Sequence, residues 1–214
     1  MRPFAVALAL VGLAACKHSR PARNLDLDAI QISSNARLRT DKVGDGKFAS
    51  TASFVLVDAE NTASDGAYVT LGGALTGDGG AVVGQLTPQS LWVPAHGSRM
   101  FALVDSARVA RPNATSAKLQ LFGAVIPDDP PRMTIEDVHT FDDHGKIVVQ
   151  AYVANAADHL GQAMVFGAFH DAHGQPMTRP FQLLAVNPHD RRVVQLVGPE
   201  GSTAGTAFVG DVVY

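Results

Sequence analysis

The chain has 214 residues, 46% hydrophobic and 17% charged, with a formal net charge of −3 at pH 7. This is a globular composition, long enough for one large or two ordinary domains, and without the basic excess of a nucleic-acid-binding surface. Its single cysteine, Cys16, excludes an internal disulfide, so stability has to come from buried apolar area.

The chain opens with a positive residue, Arg2, followed by an uncharged run over residues 4–15 that ends in small side chains before Cys16. These are the charged, apolar and small-residue regions of a secretory signal. The apolar run falls well short of the roughly 20 residues a membrane-spanning helix needs. Leu13-Ala14-Ala15-Cys16 resembles the lipobox of bacterial lipoproteins. The resemblance implies that residues 1–15 are a cleaved signal peptide and that Cys16 becomes the lipidated first residue of an exported protein. The rival is an ordinary cleaved signal that leaves Cys16 as a free thiol. Each buried acyl CH₂ contributes about 0.8 kcal/mol, so two or three chains would hold the protein firmly on its membrane. Lys17, His18, Arg20 and Arg23 follow where basic groups meet anionic headgroups. Many such lipoproteins carry Asp after the cysteine when retained at the inner membrane; Lys17 stands there instead, favouring the outer membrane. Residues 16–24 read as a lipidated tether.

From Leu25 onward the pattern is period-two alternation broken by turn residues, with no sustained helical period. Leu25, Leu27 and Ala29 begin it, Ile30 and Ile32 follow in the other phase, and Ala52-Phe54-Leu56 and Val69-Leu71 continue it. Ser64-Asp65-Gly66 and Gly77-Asp78-Gly79-Gly80 punctuate it, and 20 glycines and 12 prolines fit many tight turns. The second half repeats the first: Asn61 and Asn155, Gly73 and Gly167, Gly80 and Gly174, and Pro94 and Pro188 keep one offset of 94. Leu121–Ile126 matches Phe208–Val213 at an offset of 87, which places about seven extra residues within Asp105–Ser116. The expected fold is all-β, with two tandem sandwiches over residues 25–127 and 132–214. Pro127-Asp128-Asp129-Pro130-Pro131 lies between them, and residues 128–131 form a short, semi-rigid linker.

Val149–Asn155, Val165–Phe169, Asp171-Ala172-His173-Gly174 and Gly198-Pro199-Glu200-Gly201-Ser202 carry a further likeness. Together they resemble the small immunoglobulin-like modules of bacterial envelope proteins, the FxLYD type in particular. Phe169-His170-Asp171 departs from that pattern, in which an aromatic precedes the Asp. The resemblance implies immunoglobulin-like binding or spacer units and no chemistry.

Six histidines fall in the second half: His139, His144, His159, His170, His173 and His189. Imidazole and carboxylate are common metal ligands, so His170-Asp171-Ala172-His173 is the one candidate metal site. Positions three apart on a strand point to opposite faces, so His170 and His173 converge only if the chain turns between them. The competing reading is a hairpin turn with an exposed histidine. No nucleophile elbow, Cys–His pair, zinc-protease motif or phosphate loop is present. Trp92, the only tryptophan, is expected in a sandwich core. These residues point to a lipid-anchored envelope protein that binds or spaces without catalysis or cofactor, works with an envelope protein partner, and binds no nucleic acid. The alternatives are a periplasmic metal-handling protein using the second-half histidines, or an accessory subunit of an envelope complex.

Overall fold

The computed structural model describes residues 23–44 and 46–213; Cys16 and the signal region lie outside them. The described chain is nearly all β, with antiparallel sheets packed as sandwiches. Its helical pieces are single 3₁₀ turns. One of them, Leu27–Ala29, takes the place of the expected opening strand, because the Asp26 carboxylate accepts the Asp28 N–H and bends the chain. The strands of the first half are β1 (Arg23–Asn24), β2 (Ile30–Ile32), β3 (Arg37–Val43), β4 (Ser50–Asn61), β5 (Ala67–Thr76), β6 (Val82–Val93), β7 (Ser98–Val104) and β8 (Ser116–Ile126). Sheet I runs β1-β8-β5-β6, and sheet II sets β2 and β3 on one side of β4 and β7 on the other.

The second half contains β9 (Met133–Asp143), β10 (Lys146–Asn155), β11 (Gly161–His170), β12 (Pro176–Thr178), β13 (Phe181–Val186), β14 (Arg191–Glu200) and β15 (Ala204–Val213). Sheet III sets β12 and β13 on one side of β11 and β15 on the other, while sheet IV runs β14-β10-β9. The pairings of the two halves correspond. Asp58 faces Met100 as Tyr152 faces Val193. Thr70 faces Gly123 as Met164 faces Asp211, and the next pairs, Leu71 with Leu121 and Val165 with Val209, skip one residue. Both halves therefore bulge at the same place, at Phe122 and at Gly210. This register sets the last strands at an offset of 88 rather than 87; the short apolar match read from sequence slipped by one residue.

The repeated asparagine explains why each half turns where it does. Asn61 is fully buried; its Nδ2 donates to the Asp65 carbonyl at 2.8 Å and its Oδ1 accepts the Ala63 N–H at 3.0 Å. Asn155 does the same with the His159 carbonyl at 2.9 Å and the Ala157 N–H at 2.9 Å, and reaches the Val186 carbonyl at 3.1 Å. One side-chain amide thus satisfies a turn and the strand beside it, and a buried polar group is kept because it is fully used.

The inward face of β4 is Val55, Val57 and Ala59, opposite Leu103 and Phe101 of β7, and all five are buried. Phe54, Leu56 and Asp58 occupy the other face. The alternation Ala52-Phe54-Leu56 read from the sequence thus runs along this outer face: Leu56 is 2% exposed because the second half covers it, and Phe54 is half-buried. β11 is also buried on both sides. Val165 and Phe169 point into the core between sheets III and IV, whereas Phe166 and Ala168 join the first half's core together with Phe208 of β15. The outward faces of sheets II and III therefore pack on each other. Arg37 lies 4.0 Å from Asp171, Arg39 donates to the Met177 carbonyl, and the Asn35 amide donates to the Gly174 carbonyl. Continuous apolar runs such as Phe54-Val55-Leu56-Val57 and Val165–Phe169 are the sequence mark of strands buried on both faces.

The loop over residues 105–115 joins β7 to β8, where the second half needs only residues 201–203. It is pinned by Asp105, which is fully buried. The Asp105 carboxylate accepts Arg111 Nε at 2.9 Å, Arg111 Nη2 at 3.2 Å and the Ala107 N–H at 3.1 Å. Ser53, also fully buried, accepts the Arg111 backbone N–H at 2.8 Å.

Candidate functional site

The structure separates the two histidines of the candidate metal site. His170 ends β11, with its Nε2 2.8 Å from Asp58 Oδ2 across the contact between the halves, both side chains about one-fifth exposed. The chain then turns over Asp171-Ala172-His173-Gly174, with Gly174 at φ 69°. The Asp171 carboxylate accepts the N–H groups of Gln175 and His173, both at 2.9 Å. The Gln175 N–H in particular holds that carboxyl below its usual range, against partial desolvation and with help from the His173 N–H. His173 is exposed on this turn. His144 and His189 each sit at a positive φ and meet a local carboxylate, Asp143 at 2.6 Å and Asp158 at 2.9 Å. Among the described residues no group of three or more His, Cys, Asp or Glu could hold a metal ion.

Trp92 is not in a core. Its neighbours Leu91 and Val93 point inward at 3% and 0% exposure, so period two turns Trp92 to the opposite face, where it is half-buried. Its ring meets Tyr68 edge-on, with centroids 5.5 Å apart and planes at 61°. Gly66 lies beneath the indole, where a Cβ would run into the ring. Against this platform the linker and β15 close a two-lobed cleft. Both lobes are lined by Trp92, Pro130, Pro131 and Val209, and each has a volume of about 260 Å³. Arg132 and Asp129 line the first lobe, Arg99 the second.

Arg99 is the chemically distinctive group. Its Nη1 donates to the Ser98 carbonyl at 2.8 Å and its guanidinium lies 5.1 Å from the Phe208 ring centroid. Its Nε is buried without a hydrogen-bond partner. Desolvation lowers its pKa to about 10, which leaves it charged at neutral pH. Arg179, more deeply buried and likewise lowered to about 10 by desolvation, is better provided for. It donates to Gln89 Oε1 and to the Met100 carbonyl, both at 3.0 Å, and stacks 4.2 Å from the Phe166 centroid. Gln89 Oε1 also accepts the Ala102 N–H at 3.0 Å, so Arg179 ties the second half to an edge of β7 that Gln89 already caps.

No family model matches this chain, and no curated protein does. Among solved structures it is similar to red sea bream transglutaminase, with a TM-score of 0.25 and 16% identity, covering 83% of this chain and 30% of that one. The chain thus spans less than a third of that enzyme's length.

Sequence reasoning concentrated on histidine and missed Arg99 and Arg179. The available signal was a lone arginine at the head of the buried apolar strand Met100-Phe101-Ala102-Leu103, where a charge has to find a purpose or a partner. The cleft itself was not readable, because its walls come from β6, the linker and β15, which meet only once the halves have packed.

Proposed function

We propose that this protein is a lipid-anchored component of the bacterial envelope, held by Cys16 on the outer rather than the inner membrane, and that its two sandwiches form one non-catalytic binding body. The cleft between the halves carries this reading. It joins an aromatic platform, proline walls and a half-buried arginine, the kind of surface that holds an apolar body with a polar end. Face-to-face packing of sheets II and III favours binding over spacing, since a spacer gains reach by setting its modules end to end. The side-chain pairs His170–Asp58 and Arg37–Asp171 support a fixed relation between the halves. An envelope protein partner remains part of the proposal, reached from the membrane surface by the tether.

The anchor has a direct test. Cys16 supplies the thiol that accepts the acyl group, so Cys16→Ser leaves an unlipidated precursor. The native chain is expected in the membrane fraction, extracted by detergent and labelled by a radioactive fatty acid, and the variant is expected to lose the label. A variant that partitions with membranes as the native chain does would remove the lipid from the account.

A further inference from the structure

We propose that the cleft beside Trp92 and Arg99 is a binding site for small organic carboxylates that carry an aromatic or aliphatic body. The proposal deepens the reading of the two sandwiches as a binding module and is independent of the lipid on Cys16.

The first support is a guanidinium that the protein leaves poorly compensated. A buried donor without a partner costs about 1–3 kcal/mol, and buried polar groups are nearly always satisfied. Among the described residues Arg99 Nε is the buried side-chain polar atom that lacks a partner. The second support is an unmet charge. Arg99 touches a backbone carbonyl and a phenyl ring, and among the described residues it forms no ion pair. The third is geometry. With Nε closed off from solvent and one N–H of Nη1 given to the Ser98 carbonyl, a ligand in the lobe that Arg99 lines meets the guanidinium through its terminal Nη groups, charge-assisted donors suited to a carboxylate.

The surroundings set the rest of the ligand. Trp92, Pro130, Pro131 and Val209 offer flat and apolar walls to a ring or a short hydrocarbon chain. Each lobe, at about 260 Å³, is below the ~300–1,000 Å³ typical of pockets for drug-sized molecules, so the ligand is small. Arg132 adds a second positive charge in the neighbouring lobe, while Asp129 beside it disfavours a polyanion such as a nucleotide. A single carboxylate on an apolar body meets all of these conditions. Its source is either a free organic acid or the C-terminal carboxylate of a peptide.

The experiment uses the emission of Trp92, the only tryptophan, in the full chain carrying Cys16→Ser. The probes are 3-phenylpropionate and its uncharged analogue 3-phenylpropionamide, followed by glycyl-phenylalanine and glycyl-phenylalaninamide. The expected result is saturable binding of the carboxylates, with each amide weaker by about tenfold or more, as befits loss of a charge-assisted hydrogen bond. Arg99→Gln is expected to bring acid and amide to the same affinity. Tighter binding of the free acid assigns the source to metabolite-sized acids, and tighter binding of the dipeptide assigns it to peptide termini. Equal binding of acid and amide by the native cleft, or no binding of either, overturns the proposal without recourse to any variant. An Arg99→Gln chain that is folded by circular dichroism and still prefers the acid also overturns it.

Discussion

Phe208→Ala is expected to destabilise the chain by about 3–5 kcal/mol, the usual cost of truncating a large, fully buried aromatic. Phe208 is 1% exposed although it points out of its own sandwich, which is possible only because the first half covers it. Its ring lies 5.5 Å from Phe166 and beneath the Arg99 guanidinium, so the substitution removes a packing partner from each half. Urea denaturation followed by Trp92 emission and by circular dichroism measures the change. Phe141→Ala serves as the control. Phe141 is 44% exposed on the edge strand β9, and its loss is expected to stay within about 0.5 kcal/mol. Equal, small effects of the two substitutions would mean that Phe208 is not buried between the halves.

Asp105→Ala is expected to cost about 2–4 kcal/mol, because it leaves the Ala107 N–H unsatisfied and strips Arg111 of its partner. The figure sits below that for a fully enclosed ion pair since the Arg111 side chain is 31% exposed and can turn to water. Asp105 is the acceptor that raises the affinity of Arg111 for its proton, through the side-chain hydrogen bond first and the charge second. Asp105→Asn retains an acceptor and is expected to lose roughly half as much. Thermal unfolding of the three chains at one pH reads the order. A change of less than about 0.5 kcal/mol for the alanine variant would show that the loop over residues 105–115 does not depend on this carboxylate.

The all-β fold was legible because its two signals, alternation and turn residues, act locally. The repeat was legible because Asn61 and Asn155 each do a job that no other residue in their turns could do, so both kept the same residue at the same spacing. Phase was harder to read. In Phe54-Val55-Leu56-Val57 both faces are apolar, and only packing shows that Val55 and Val57 face the sandwich while Leu56 faces the second half. Trp92 was misplaced for a related reason: its large ring suits a core, but its neighbours Leu91 and Val93 had already taken the inward phase. The contact of sheets II and III, and the cleft that forms with it, involve residues more than a hundred positions apart, such as Asp58 and His170. No local pattern in either stretch announces the other. The histidine pair looked like chemistry because of its spacing, but the turn at Asp171 gives His170 to Asp58 and leaves His173 exposed.

The central claim is that the two sandwiches form one body through the outward faces of sheets II and III. Arg37 and Asp171 approach to 4.0 Å across that contact. In a chain with Cys16→Ser no other thiol is present, so Arg37→Cys combined with Asp171→Cys places two unique thiols there. Treatment of the dilute protein with a short bis-maleimide, followed by mass spectrometry of its peptides, reads the contact directly. One intramolecular bridge between positions 37 and 171, formed at a rate independent of protein concentration, is the predicted result. Singly modified thiols or intermolecular dimers alone would show that the halves do not pack face to face.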